Sequence, residues 1–224
     1  LKHQMDIVTR LPKDYVFLNY LRCHDDIGWG LDYEWLKQFG IAEAPHKKYL
    51  NDFLTGKYPD SFARGELYND DPRLGDARLC GTTASLCGIE RFGFEGNQEG
   101  VDRAVRYDIT LHAFMLSQSG IPVIYSGDEI GQVNDYSYKD DPEKSDDSRY
   151  LHRGKFDWKL AENRHDPATV QGKLFPVLNK LEHIRSSHGI FNSNVPIHTI
   201  DTWDNSILAF VRENDEEKFI GIYN

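Results

Sequence analysis

The chain has 224 residues, 39% of them hydrophobic and 28% charged, an ordinary globular balance with room for one large domain or two small ones. A formal net charge of −10 repels phosphate surfaces and argues against nucleic acid and anionic membrane as partners. No apolar run approaches the ~20 residues that span a bilayer, and Cys23, Cys80 and Cys87 are too few and too scattered for a disulfide scaffold or a CxxC motif.

Residues 1–10 read as the end of a helix, stopped ahead of Pro12. Residues 15–29 follow, YVFLNYLRCHDDIGW. The apolar run 16–21 predicts a strand buried on both faces, as in a parallel sheet, and it breaks abruptly at His24, Asp25 and Asp26. Short helices are expected over 33–39, 47–54 and 82–87. Between them Gly56, Pro59, Gly65, Asn69, Pro72 and Gly75 predict a loop-rich insertion, too long for an ordinary connection.

The clearest helix is 102–119, where Val101, Val105, Ile109, Ala113 and Leu116 recur at helical spacing and Gly120 follows. Residues 121–125, IPVIY, predict a second buried strand ending in Asp128 and Glu129. Strand, insertion, helix, strand makes a βαβ unit. Residues 134–156 read as a long charged loop, and 168–187 as a helix with Leu174, Leu178, Leu181 and Ile184 on one face. Three short antiparallel strands are expected over 196–200, 207–212 and 219–223, with turns at Asp204-Asn205 and Asn214-Asp215. The chain opens on Leu1 and stops at Asn224 inside an unfinished β pattern, so it reads as a fragment.

In parallel α/β folds chemistry gathers at the carboxyl ends of strands. His24, Asp25 and Asp26 stand at one such end, Asp128 and Glu129 at the other. Asp25 and Glu129 could form the two-carboxylate pair of a glycosidase; the alternative for Glu129 is a residue that orders its loop through hydrogen bonds. Arg149, in KSDDSR, would be rigid if held by Asp146 or Asp147, and could clamp a carboxylate or a sugar hydroxyl. Aromatics interleaved with charges over 135–138 and 149–158 suit the faces of sugar rings. The acid-rich run 135–147 lacks the glycine and ligand spacing of an EF-hand loop, so no metal is expected.

NYLRCHDDIGW, FARGELYN, GDARLCGTTASL, GIPVIYSGDEIGQ with VND, and KSDDSRYLHR together resemble the α-amylase family of retaining glycoside hydrolases, family 13, and within it the amylosucrase group. The resemblance implies the C-terminal part of a (β/α)8 barrel. Residues 1–29 would be the end of barrel helix six and strand seven, and 30–96 an inserted subdomain. Residues 97–190 would be helix seven, strand eight, a long loop and helix eight, and 191–224 the start of an antiparallel C-terminal β domain. It further implies a glucosyl pocket in which His24 hydrogen-bonds the sugar and Asp25 is the carboxylate that stabilises the transition state. Asp26 would face the acceptor and Arg78 the acceptor or the fructosyl moiety, Lys47 would line the acceptor path in place of an arginine, and Arg149 would close the pocket floor against an acid from outside this chain. No segment resembles the family's nucleophilic Asp or acid/base Glu, so the chain alone is expected to be inactive. The substrate would be a small sugar, sucrose or an α-glucan, with no cofactor.

Overall fold

The apolar run after residue 15 does not form the strand that its pattern predicts. The computed structural model describes residues 1–12, 14–71 and 76–224. In chain order its elements are α1 (Lys2–Val8), β1 (Leu18–Asn19), α2 (Tyr33–Leu36), α3 (Glu43–Leu54), β2 (Glu66–Asp71), β3 (Asp76–Cys80), α4 (Thr83–Cys87) and α5 (Ile89–Phe94). There follow α6 (Gln98–Ser117), β4 (Ile121–Pro122), α7 (Trp158–Ala161), α8 (Val170–Ser187), β5 (Ile197–Ile200), β6 (Leu208–Glu213) and β7 (Lys218–Tyr223). They gather into two units, residues 1–21, 109–124 and 176–224, and residues 22–108 and 125–175.

In the first unit β1 and β4 run parallel, Leu18 opposite Ile121. The Ile121 and Val123 amides donate to the carbonyls of Phe17 and Asn19, both at 2.8 Å. Each strand is two residues long, and Val16, Phe17, Leu18, Tyr20, Ile121 and Val123 are all exposed. Two-sided burial is therefore corrected: each strand has one neighbour, and a pattern that suits a covered sheet stands open. Gly120 permits the close approach, since a Cβ there would lie 2.4 Å from the Phe17 carbonyl oxygen.

The antiparallel meander β5-β6-β7 follows the predicted pattern closely. Asp204 and Asn214 make its turns by accepting the amides of Ser206 and of Glu216 and Glu217 through their side chains. Met5, Ile197 and Phe210 form its core with Phe114 and Tyr223 packed against them. On β6 Phe210 and Arg212 share a face, and Arg212 is completely buried. Its guanidinium donates to the carbonyls of Ser117, Asn192 and Val195, while Arg185 donates to those of Gln118 and Gly120. These cations cover the carbonyl end of α6. Burial, with the charge of Arg185 beside it, pulls the Arg212 pKa down to about 10.

In the second unit the supposed loop-rich stretch holds a hairpin. β2 and β3 pair antiparallel, Leu67 opposite Leu79 and Tyr68 opposite Arg78, with the register shifting between Tyr68 and Asp71. Pro72 and Gly75, read as loop residues, lie outside the described residues. Cys80, Tyr138 and Leu151 bury the hairpin against the 3-10 turns Tyr136–Asp140 and Ser148–His152, which occupy the long charged loop. Asn134 ties them in: its side chain accepts the Thr82 amide and donates to the Arg64 carbonyl. Thr82 caps α4 through Ser85, and α5 follows where no helix was expected. Helix α6 starts earlier than expected because the Asn97 side chain caps it at Gly100, 2.9 Å away. Asp102 instead pairs with Lys173 at 2.6 Å.

Candidate active site

Arg22 is the last polar anchor before the acidic cluster. It is buried, with Nε 2.7 Å from Asp128 Oδ1, its guanidinium over the Tyr125 ring, and Nη1 donating to the His152 carbonyl. Thr83 donates its hydroxyl to the other Asp128 oxygen at 3.1 Å. Asp128, read as a strand-end acid, is thus half of a buried ion pair. Removing either partner of such a pair costs ~3–5 kcal/mol. Glu129 accepts the Gly127 amide at 2.8 Å, a contact that orders its own turn.

Beyond Arg22 the chain crosses the hairpin. Ile27 and Leu79 exchange backbone hydrogen bonds of 2.8 and 3.0 Å, which pins the acidic cluster beside β3. The Arg78 guanidinium lies on the backbone of Gly28; a Cβ there would sit 2.0 Å from Arg78 Nη1, so a larger residue would have to push the guanidinium aside. Tyr68, the cross-strand neighbour of Arg78, carries the Arg149 guanidinium over its ring at 4.5 Å.

Arg149 grips Asp147 with two parallel bonds, Nε to Oδ1 and Nη2 to Oδ2, both 2.9 Å. Its remaining arm, Nη1, reaches Asp25 Oδ1 at 3.1 Å. Of the two acids expected to hold it, Asp147 does. Its second partner is Asp25. The Asp25 side chain keeps 51% of its surface open. The Arg149 hydrogen bond, then the Asp26 amide at 3.2 Å, hold the Asp25 carboxyl below its usual range. Asp147 is lowered by the same guanidinium, and Arg149 is held more firmly charged by both acids. Exposed pairs of this sort contribute little stability; what Arg149 supplies is orientation.

His24 is exposed and its carbonyl accepts from Arg153 Nε at 2.6 Å. Asp26 is half-buried, and its charge bears on the Cys80 thiol, whose pKa burial chiefly raises, to about 11. So the structure brings together His24, Asp25, Asp26, Arg78 and Arg149. Lys47 is not joined to them by these contacts: on α3 it pairs with Glu43 at 2.9 Å and stands over the Tyr33 ring. Sequence reasoning missed Tyr68, Arg153 and the Arg22–Asp128 pair. The quoted motifs contained all four, but their pairing spans up to 130 positions and leaves no local pattern.

The arrangement presents one ionised, half-open carboxylate in a fixed orientation, with arginines and a tyrosine beside it. It can accept hydrogen bonds from hydroxyls and stabilise positive charge. Among the described residues no group of three His, Cys, Asp or Glu could hold a metal ion.

No protein-family model matches the chain. It is 32% identical over 125 residues to glucosylglycerate phosphorylase of Escherichia coli K12, a match that covers 55% of this chain and 22% of that protein. The fold resembles that of sucrose 6F-phosphate phosphorylase from Thermoanaerobacter thermosaccharolyticum, with a TM-score of 0.61 and 16% identity over 99% of this chain and 38% of that one. Trehalose-6-phosphate hydrolase from Bacillus licheniformis overlaps 51% of this chain and 29% of its own at a TM-score of 0.37 and 20% identity, too low to weigh. The chain thus spans about a fifth of the curated relative's length.

Proposed function

We propose that this chain forms one wall of the glucosyl pocket in a retaining, amylosucrase-like enzyme that takes glucose from sucrose and passes it to an α-glucan or to water. β1 and β4 would be barrel strands seven and eight, residues 30–96 the inserted subdomain, and β5-β7 the start of the C-terminal β domain. The observation that carries the reading is Asp25. It is half open, held ionised, and aimed by a guanidinium that is itself clamped on Asp147. Such a carboxylate suits the oxocarbenium-like transition state of glucosyl transfer. His24 and Asp26 would bind sugar hydroxyls, and Arg149 would close the pocket beyond one glucose. Lys47 would meet the acceptor farther out, with a point charge in place of a flat fork. The nucleophile and acid/base would come from outside these residues, so the 224 residues alone should not turn over sugar.

A second reading makes phosphate the acceptor. Arg78 favours it: this guanidinium stands beside the acidic cluster with no ion-pair partner among the described residues. The similar proteins include two named as phosphorylases. A plain sucrose hydrolase or α-glucosidase is the third outcome.

The full-length enzyme fed sucrose, alone, with glycogen, or with inorganic phosphate, separates these readings. Elongated glucan, glucose 1-phosphate or free glucose marks the transferase, phosphorylase or hydrolase. Asp25→Asn should lower kcat by ~10²–10³, the usual loss for a group used mainly in the transition state. No fructose release under any condition would end the sucrose reading, and near wild-type kcat in the variant would make Asp25 a mere strand-end cap.

A further inference from the structure

One short segment holds Arg22, His24 and Asp25. The 3-10 turn Ser148–His152, capped by the Asp147 side chain on the Arg149 amide, reaches three neighbouring residues at three different atoms. Its His152 carbonyl accepts from Arg22 at 3.2 Å, Arg153 Nε donates to the His24 carbonyl at 2.6 Å, and Arg149 Nη1 donates to the Asp25 carboxylate at 3.1 Å. Asp147 lies between the two arginines, bidentate on Arg149 and 3.8 Å from Arg153 Nη1. The segment is itself nailed down. Leu151 is fully buried, its carbonyl accepts the Asp135 amide, Ser148 donates to the Leu67 carbonyl, and the Gly81 amide donates to His152 Nδ1.

We infer that Arg153 is a positioning residue for Asp25, acting through the peptide bond between His24 and Asp25. That peptide is planar, so fixing its oxygen fixes the plane from which the Asp25 side chain departs. Both polar edges are held: the carbonyl oxygen by Arg153, and the Asp25 amide by Cys23 Sγ at 3.3 Å. The first bond is charge-assisted and short; the second is a weak sulfur contact. Without Arg153 the plane turns on its weak edge, and the Asp25 carboxylate pivots about its retained bond to Arg149, away from the orientation that the reaction uses. Arg153 does not touch the Asp25 carboxylate, so it sets where the charge sits and leaves its pKa alone. Arg149 bonds the carboxylate itself, so it sets both its position and its pKa. The role given to Asp25 rests on the glucosyl-transfer reading; the hold on the peptide does not.

Two measurements on the full-length protein test this. Arg153→Ala should lower kcat ~10–100-fold, the scale of an ångström's misplacement, with little change in KM. The plateau of the pH profile should drop and its acid limb should stay in place. Arg153→Lys, which keeps a cationic donor, should recover most of the loss. Independently of activity, amide exchange at residues 24–26 should quicken in Arg153→Ala and return toward wild type in Arg153→Lys, with exchange in β6 unchanged. Wild-type exchange at residues 24–26 in Arg153→Ala overturns the inference, as does a shifted acid limb or wild-type kcat. A wild-type enzyme that transfers no glucosyl group overturns the functional reading instead, and the exchange result still decides the hold on the peptide.

Discussion

Arg149 has one guanidinium and two acids. Asp147 takes its paired face and Asp25 its last arm, so the arginine is fixed first and then fixes Asp25. The sign of the pH effect follows. The Asp25 carboxyl is held below its usual range in the folded protein, chiefly by Arg149. A reaction that needs the ionised form loses rate as pH falls through that lowered pKa. In Arg149→Ala the carboxyl returns toward the ordinary range, so the acid limb of kcat should move to higher pH and the plateau should fall as orientation is lost. A pH–rate profile of the full-length enzyme checks this, and an unmoved limb would show that Asp25 is not the group being titrated. Asp25 and Arg149 could both be singled out from the sequence, because a carboxylate after an apolar run and an arginine among acids are local patterns. That they touch, across 124 positions, is a property of the folded chain.

At the scale of elements, what was legible depended on length and cap chemistry. Helix α6 and the meander β5-β7 carry several repeats of their period and side-chain turns at Asp204 and Asn214. The hairpin β2-β3 was hidden because Glu66–Asp71 has no alternation, Asn69 sits at a φ of 51°, and the pairing shifts register. Yet this hairpin carries Tyr68 and Arg78 and is joined to the site by His152. That imidazole accepts the Gly81 amide on Nδ1, so its proton belongs on Nε2 and the ring must be neutral. Burial, then the nearby Arg22, pull its pKa down to about 4; Arg153 adds to this, while the His24 carbonyl and Asp147 oppose it. The unfolded chain takes up this proton below the ordinary value of 6.5 and the folded chain refuses it down to about 4. Stability should therefore fall with pH across that window, by ~2 kcal/mol between about pH 7 and pH 5. His152→Gln can still accept the Gly81 amide and does not titrate. Its unfolding midpoint in urea should show a smaller drop over the same window, and equal drops in the two proteins would remove His152 from the account.

The 224-residue chain as a whole carries an apolar strip that its own sheet does not cover. Phe17 at 46%, Leu18 at 62%, Tyr20 at 50% and Ile121 at 54% exposure surround the β1-β4 pair, and Val16 and Val123 extend the strip. The sequence predicted burial here because the run Val16–Leu21 has the composition of a strand with neighbours on every side. In the proposed barrel those neighbours would be the strands and helices that close the ring. Polar satisfaction makes the same point. The ladder between β1 and β4 uses one edge of each strand, and the other edges offer their backbone groups to any matching strand. Exposed apolar surface of this kind drives association, and open edges give it direction. The isolated chain should therefore self-associate as its concentration rises, which sedimentation velocity over a dilution series would register. Leu18→Thr combined with Ile121→Thr changes two facing positions and places at both a β-branched residue that suits a strand. The double variant should stay monomeric to higher concentration with the same circular dichroism. A wild-type chain that remains a monomer throughout the series would mean that the strip is covered in solution and does not drive association.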